Sequence, residues 1–208
     1  MNLIQRELGP IGTNSYIVYD ETKEAMVIDP AGDCPRILQD LREKGLQPKM
    51  IVLTHGHADH IGALQDLRNA TGIPVYVGEG DKTMLQDAKM NLSHFVGAPI
   101  VSDVPEYLMH HGDIITVGHM SFQVLTTPGH TKGGVCLYGE GVVFVGDTLF
   151  QGSIGRTDLY GGHYEELLES INTKLMVLPD VVKVYPGHGP STTIGIEKKY
   201  NPFVNGRG

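Results

Sequence analysis

Four runs of β-forming residues in this chain each end on a histidine or an aspartate. "MIVLTHGHADH" (50–60), "FQVLTTPGH" (122–130), "VVFVGD" (142–147) and "VVKVYPGHG" (181–189) are apolar and then turn polar. In α/β architectures the carboxyl ends of strands are where loops gather into a site. Four such ends can bring His55, His57, Asp59, His60, His130, Asp147 and His188 to one place. Crowding His55, His57 and His60 beside Asp59 is a cost, since imidazoles that charge at low pH repel one another. Something has to hold them.

The rest of the chain supports an α/β reading. "NSYIVYD" (14–20) and "EAMVIDP" (24–30) are short β-rich runs around a polar turn, which predicts a hairpin. "DCPRILQDLREKG" (33–45) predicts a helix, with Asp33 as N-cap, Pro35 in the first turn and Gly45 as the stop. Its apolar face is Ile37, Leu38 and Leu41. "HIGALQDLRNATG" (60–72) has helical spacing in Ile61, Leu64 and Leu67. Further strands are predicted in "DIITVG", "SFQVLTTPGH", "GVCLYG" and "GVVFVGD", then a helix in "YEELLESINTKLMV" and a strand in "VVKVYPGHG". Both halves therefore run strands, helix, strand, and 208 residues predict one domain spanning 1–208.

Neutral imidazole and ionised carboxylate suit a divalent metal such as zinc. Seven donors are too many for one tetrahedral ion. They divide if two ions share a carboxylate: His55, His57 and His130 on the first, Asp59, His60 and His188 on the second, and Asp147 bridging. Metal binding would keep the imidazoles neutral and remove the crowding cost. Zinc is the expected metal, with iron or manganese also compatible. By contrast His94, His110, His111, His119 and His163 stand alone and read as surface or hydrogen-bonded residues. Taken by itself, Asp147 could equally cap a turn.

A net charge of -8 argues against a broad basic surface for nucleic acid. No apolar run approaches the roughly 20 residues of a membrane span, and the N-terminus has no basic-then-apolar leader, so a cytoplasmic protein is expected. Cys34 and Cys136 match no paired zinc spacing and read as buried or free thiols. The sequence carries no signal for an oligomeric state and none for a role of the terminal "NGRG".

These motifs resemble those of the metallo-β-lactamase-fold hydrolases. The family's T-H-x-H-x-D-H signature stands here as "THGHADH" (54–60), followed in order by "TPGHT" (127–131), "GD" (146–147) and "PGHG" (186–189). The resemblance implies a four-layer αβ/βα sandwich of two similar halves with a dinuclear site at one edge of the inner sheets. It also implies that Asp29, in "VIDPAGD", orients the histidine loop from behind the site. Asn14 and Tyr16 border the site in this family, although a turn asparagine is the commoner explanation of Asn14.

Within that superfamily the chain is most similar to the short bacterial glyoxalase II group, in "LFQGSIGRTDLYGG" (149–162) and "GHGPSTTIGIEKKYNPF" (187–203). This implies hydrolysis of a small-molecule acyl thioester by a hydroxide shared between two ions, with Asp59 and Asp147 as the catalytic carboxylates. Longer members hold the glutathione carboxylate with a C-terminal basic region that this chain stops short of. Lys132, Arg156, Tyr160 and Lys198 are the candidate substitutes, with Arg156 equally able to pair with Asp158 in its own loop. Persulfide dioxygenases share the core motif and imply an alternative: a single iron on His55, His130 and Asp147. Lactam or lactone cleavage fits the same nucleophile. A metal store or sensor without turnover and an RNA-processing nuclease fit less well, the nuclease because of the acidic balance.

Overall fold

The computed structural model describes residues 1–204, apart from the Val96 side chain, so the terminal "NGRG" lies outside the described residues. Each half of the chain builds one six-stranded sheet. The first contains β1 (Asn2–Leu8), β2 (Thr13–Tyr19), β3 (Glu24–Ile28), β4 (Gln47–Val52), β5 (Val75–Gly78) and β6 (Tyr107–Met109), in that spatial order. β1 to β3 are antiparallel, and β3 to β6 are parallel. The second half contributes β7 (Ile114–Val117), β8 (Met120–Thr126), β9 (Val135–Gly139) and β10 (Val142–Gly146). A small hairpin of β11 (Leu149–Phe150) and β12 (Ser153–Ile154) follows, then β13 (Lys183–Pro186) and β14 (Thr192–Thr193). The second sheet runs β14-β13-β10-β9-β8-β7, with β10 and β13 parallel.

The layering follows from side-chain alternation along strands buried on both faces. Tyr16 and Val18 of β2, with Met26 and Ile28 of β3, point into a core shared with Phe122, Val124, Leu137 and Phe144 of the other sheet. Ile17, Ala25 and Val27 point the opposite way. There they meet Ile37 and Leu41 of α1 (Cys34–Lys44) and Leu64 and Leu67 of α2 (Leu64–Thr71). In the second sheet Val143 and Val145 turn outward onto Leu167 of α4 (Tyr164–Ser170) and Ile194 of α5 (Ile194–Tyr200). A single-turn α3 (Ser93–Val96) lies between β5 and β6. Helix, sheet, sheet, helix is the four-layer αβ/βα sandwich.

The caps read from the sequence are in place. Asp33 accepts the Arg36 amide at 3.2 Å, and Gly45, at φ 63°, closes α1 with its N–H on Arg42. Four predicted elements differ from expectation. α2 begins at Leu64 because residues 57–61 are held in a tight turn, His60 N–H bonding the His57 carbonyl at 3.0 Å. The predicted helix over 164–177 is α-helical only to Ser170 and continues as a wider π-helical turn, Ile171–Leu175. Strands β4 and β8 stop at Val52 and Thr126, short of their histidines, so the donors sit on loops. Cys34 and Cys136 are buried free thiols, and among the described residues no helix is long and apolar enough to cross a membrane.

Candidate metal centre

All seven donors predicted from the sequence converge at one end of the two inner sheets. The ligand atoms of His55, His57 and His130 lie within 4.8 Å of one another, as do those of Asp59, His60 and His188. Asp147 stands between the two sets. Its Oδ1 is 3.3 Å from His60 Nε2, and its Oδ2 is 3.6 Å from both His130 Nε2 and His188 Nε2. His55, His57 and His60 are each no more than 3% exposed.

The histidines are oriented from behind. Asp29 Oδ1 accepts the Thr54 amide at 2.7 Å, while Oδ2 accepts the Thr54 hydroxyl at 2.6 Å and His60 Nδ1–H at 2.9 Å. Thr54 Oγ1 also meets His55 Nδ1 at 3.2 Å, and His130 Nδ1–H donates to the Arg156 carbonyl at 2.8 Å. These bonds turn the Nε2 lone pairs of His55, His60 and His130 toward the centre. The loop carrying His188 is pinned by β2: Asn14 Nδ2 donates to the Pro186 and Gly189 carbonyls, and Tyr16 OH donates to Pro186 at 2.6 Å. Asn14 is fully buried in this role, which sets aside the turn-asparagine explanation. Gly187 is required by close approach, since a methyl group there would run into the Asp147 carboxylate and the His60 ring.

The donor set fits divalent ions on its own chemistry. His55 Nε2, His60 Nε2 and Asp147 Oδ1 are buried without a hydrogen-bond partner, and His57 turns Nδ1 toward His130 Nε2 at 3.0 Å. Leaving such groups unpaired is expensive, and a cation removes the expense. Burial and neighbouring imidazoles push His55 well below its ordinary pKa, and the same causes bring His57 down to about 3. Burial opposes the charged form of His60 too, but Asp59, Asp147 and Asp29 outweigh it and hold its pKa well above the usual value.

The two sets therefore take up metal differently. At pH 7 the metal-free chain offers neutral His55 and His57, whereas a cation entering beside His60 displaces a proton. Affinity at the Asp59–His60–His188 set should fall as the pH is lowered, because His60 and His188 both have raised pKa values and protons must leave them before a cation binds. Zinc titrations in buffers of differing ionisation enthalpy measure this directly; equal proton release from both sets would contradict it.

One residue of the centre carries no motif. Asp81, fully buried after β5, accepts the Gly56 amide at 3.0 Å, the Thr131 hydroxyl at 2.7 Å and the Gly133 amide at 2.7 Å. It thus ties the His55–His57 loop to the His130 loop. Asp81→Asn should lower zinc affinity at the first set roughly 10–100-fold, the usual cost of losing an outer-shell partner. A site-resolved zinc titration should show the second set unchanged.

A cavity of about 910 Å³ opens over the donors, with His57, Asp59, His130, Asp147 and His188 in its lining. Of the substrate residues suggested by the sequence, Arg156 lines it; Lys132, Tyr160 and Lys198 do not. Lys132 lies over the Tyr160 ring at 5.8 Å, and Lys198 is spent on Asp180 at 2.6 Å and the Leu178 carbonyl at 3.0 Å. Arg156 makes the loop pair foreseen for it, bidentate to Asp158 at 2.7 and 2.8 Å. The isolated histidines stay outside the centre: His110 meets Glu79, His119 meets Glu21, and His163 caps α4.

Sequence comparison decides the family. The pattern of the Metallo-beta-lactamase superfamily matches residues 8–188. The chain belongs to the metallo-β-lactamase superfamily. It is 42% identical to the probable metallo-hydrolase YqgX of Bacillus subtilis, over 96% of this chain and 95% of that one. It is 39% identical to the hydroxyacylglutathione hydrolase GloC of Haemophilus influenzae, over 93% of each. Among solved structures, the BLEG-1 B3 metallo-beta-lactamase superposes with a TM-score of 0.94 at 43% identity, covering 98% of this chain and 99% of that one. The di-iron-bound form of TTHA1623 superposes with a TM-score of 0.88 at 37% identity, covering 96% and 99%. Superfamily membership and the donor cluster together mark an enzyme with metal sites.

Proposed function

We propose that this superfamily member is a dinuclear metallohydrolase that cleaves an acyl thioester with water, giving a carboxylic acid and a thiol. The observation that carries this reading is the complete second donor set: Asp59 Oδ2 is 3.3 Å from His60 Nε2 and 3.1 Å from His188 Nε2, directly beside Asp147. Two ions give both donor sets a cation to hold. The likeness to GloC, a hydroxyacylglutathione hydrolase, supports thioester over other carbonyl substrates.

Divalent ions, when bound, supply Lewis acidity and bring the pKa of water from 15.7 toward ~7. The chain's own groups supply orientation. Asp59 is partly open to the cavity and takes a hydrogen bond from Thr13 Oγ1 at 3.1 Å. Burial alone would raise its pKa, but His60 and His188 hold it well below the ordinary carboxylate range, so it stays ionised. It is placed to accept a hydrogen bond from the attacking water and to aim it. Asp29 and Thr54 hold the His55 and His60 rings in the orientation that leaves their inward nitrogens free.

A second reading keeps one specific support. The di-iron-bound form of TTHA1623 holds iron in this fold, which bears on the identity of the metal; a single iron on His55, His130 and Asp147 is the persulfide dioxygenase alternative. Elemental analysis of the protein purified without added metal separates the two. About two zinc ions per chain with hydrolysis of an acyl thioester is the expected result. Two metals without hydrolysis of any acyl thioester sinks the proposal. About one iron, with oxygen uptake on a persulfide, transfers the assignment to the second reading.

A further inference from the structure

The cavity over the donors is walled by groups that the hydrolytic step itself does not use. Pro10 and Ile11 of the β1–β2 turn form one side, Leu92 and Ile100 of the β5–β6 segment another, and Phe150 and Leu159 a third. Ile11 is 63% exposed, a large apolar side chain left at the rim.

Leu92 decides the argument. Its φ of 73° is left-handed, a region that a bulky branched residue rarely occupies and that costs energy to hold. The surrounding segment is organised to keep it there. Asn91, fully buried, donates from Nδ2 to the carbonyls of Met84 at 3.0 Å and Ile100 at 2.8 Å, and its Oδ1 accepts the Ser93 amide at 3.0 Å. The Asn91 carbonyl accepts the Ala58 amide at 2.9 Å, between His57 and Asp59. Strain and a buried asparagine together fix an apolar side chain on the cavity wall, anchored to the metal-binding loop.

Charge completes the picture. Among the described residues lining the cavity, the only lysine or arginine is Arg156, already held in both directions by Asp158. Away from the metal centre itself, the chain's net charge of -8 adds no attraction for an anion. Glutathione carries two carboxylates and an ammonium, and this wall offers them little in exchange for their water. An apolar chain, in contrast, gains on every methylene it buries.

We infer that the cavity selects acyl thioesters with an apolar acyl chain and an uncharged thiol, and that Leu92 is a specificity-determining residue. This inference rests on the thioester reading. At about 910 Å³ the cavity has room for both arms of such a molecule.

The test uses the full chain loaded with zinc. Its substrates are N-acetylcysteamine thioesters of acetate, butanoate, hexanoate and octanoate, with S-D-lactoylglutathione as comparator. kcat/KM should rise up to about fourfold per added methylene until the wall is covered, and the hexanoyl ester should exceed lactoylglutathione by at least about tenfold. Leu92→Ala, and independently Ile100→Ala, should flatten that chain-length dependence while zinc content stays at the wild-type value. A flat dependence, or preference for lactoylglutathione, overturns the inference and leaves thioester hydrolysis standing. Unchanged chain-length dependence in both variants overturns the assignment to this wall. Hydrolysis of none of the five esters overturns the thioester reading, and the inference with it.

Discussion

Asp147→Ala should strip the protein of its full metal complement and lower thioester hydrolysis by far more than 100-fold. The carboxylate lies between the two histidine sets, 3.3 Å from His60 on one oxygen and 3.6 Å from both His130 and His188 on the other. Losing an outer-shell partner of a metal centre costs roughly 10–100-fold. A group placed to serve both ions should cost more, since each ion would lose a charged ligand at once. A thermal signature accompanies the loss. Ligands that bind only the folded state raise Tm by mass action, so zinc should raise the wild-type Tm strongly and the variant's only weakly. Inductively coupled plasma analysis gives the metal count, and calorimetry with and without zinc gives the shift. Full metal content in the variant would break the bridging arrangement.

The donor cluster was readable from the sequence because the physics that makes such groups costly also makes them conspicuous. A β-run such as "VVFVGD" buries each residue from Val142 to Gly146 and then releases Asp147 at its end, so the hydrophobic pattern itself points to the polar group. The hairpin and α1 were legible for similarly local reasons: continuous runs of buried β-formers in β2 and β3 around a polar turn, and a capped, one-sided helix. Elements that are short or largely open were not. β1 is an edge strand with a largely open pattern, β5 spans only Val75–Gly78, and α5 keeps only Ile194 and Glu197 buried.

Asp81 was invisible for a different reason. Its neighbours Glu79 and Lys82 make it look like one more surface charge, and its three donors come from Gly56, Thr131 and Gly133, distant in sequence. Lys198 is the converse case: a cation is visible in the sequence but its partner is not, and Asp180 pairs with it at the surface. Identity and position along a strand are local properties. Who satisfies a charge is a property of the fold.

Asp29→Asn should weaken zinc binding and kcat/KM together by roughly 10–100-fold while leaving the fold intact. The substitution isolates hydrogen bonding because the backbone can stay where it is. Asp29 sits at φ 48°, a left-handed conformation that asparagine tolerates and alanine does not. Its amide stays on Val52 at 3.1 Å and its carbonyl keeps the Ser15 hydroxyl at 2.6 Å. What changes is that one carboxylate oxygen becomes an NH2 group facing donors. Turned toward the Thr54 amide, that group faces an N–H that is left without an acceptor. Turned toward His60, it can be satisfied only if Nδ1 gives up its proton, which moves the proton to Nε2 and closes the lone pair aimed at the metal. Either orientation costs something, and the second disables a ligand without removing it. Zinc titration with circular dichroism as the check on folding reads both effects. A variant that keeps wild-type zinc affinity and turnover would mean that the carboxylate's charge and its two acceptor oxygens do not set the histidine orientation.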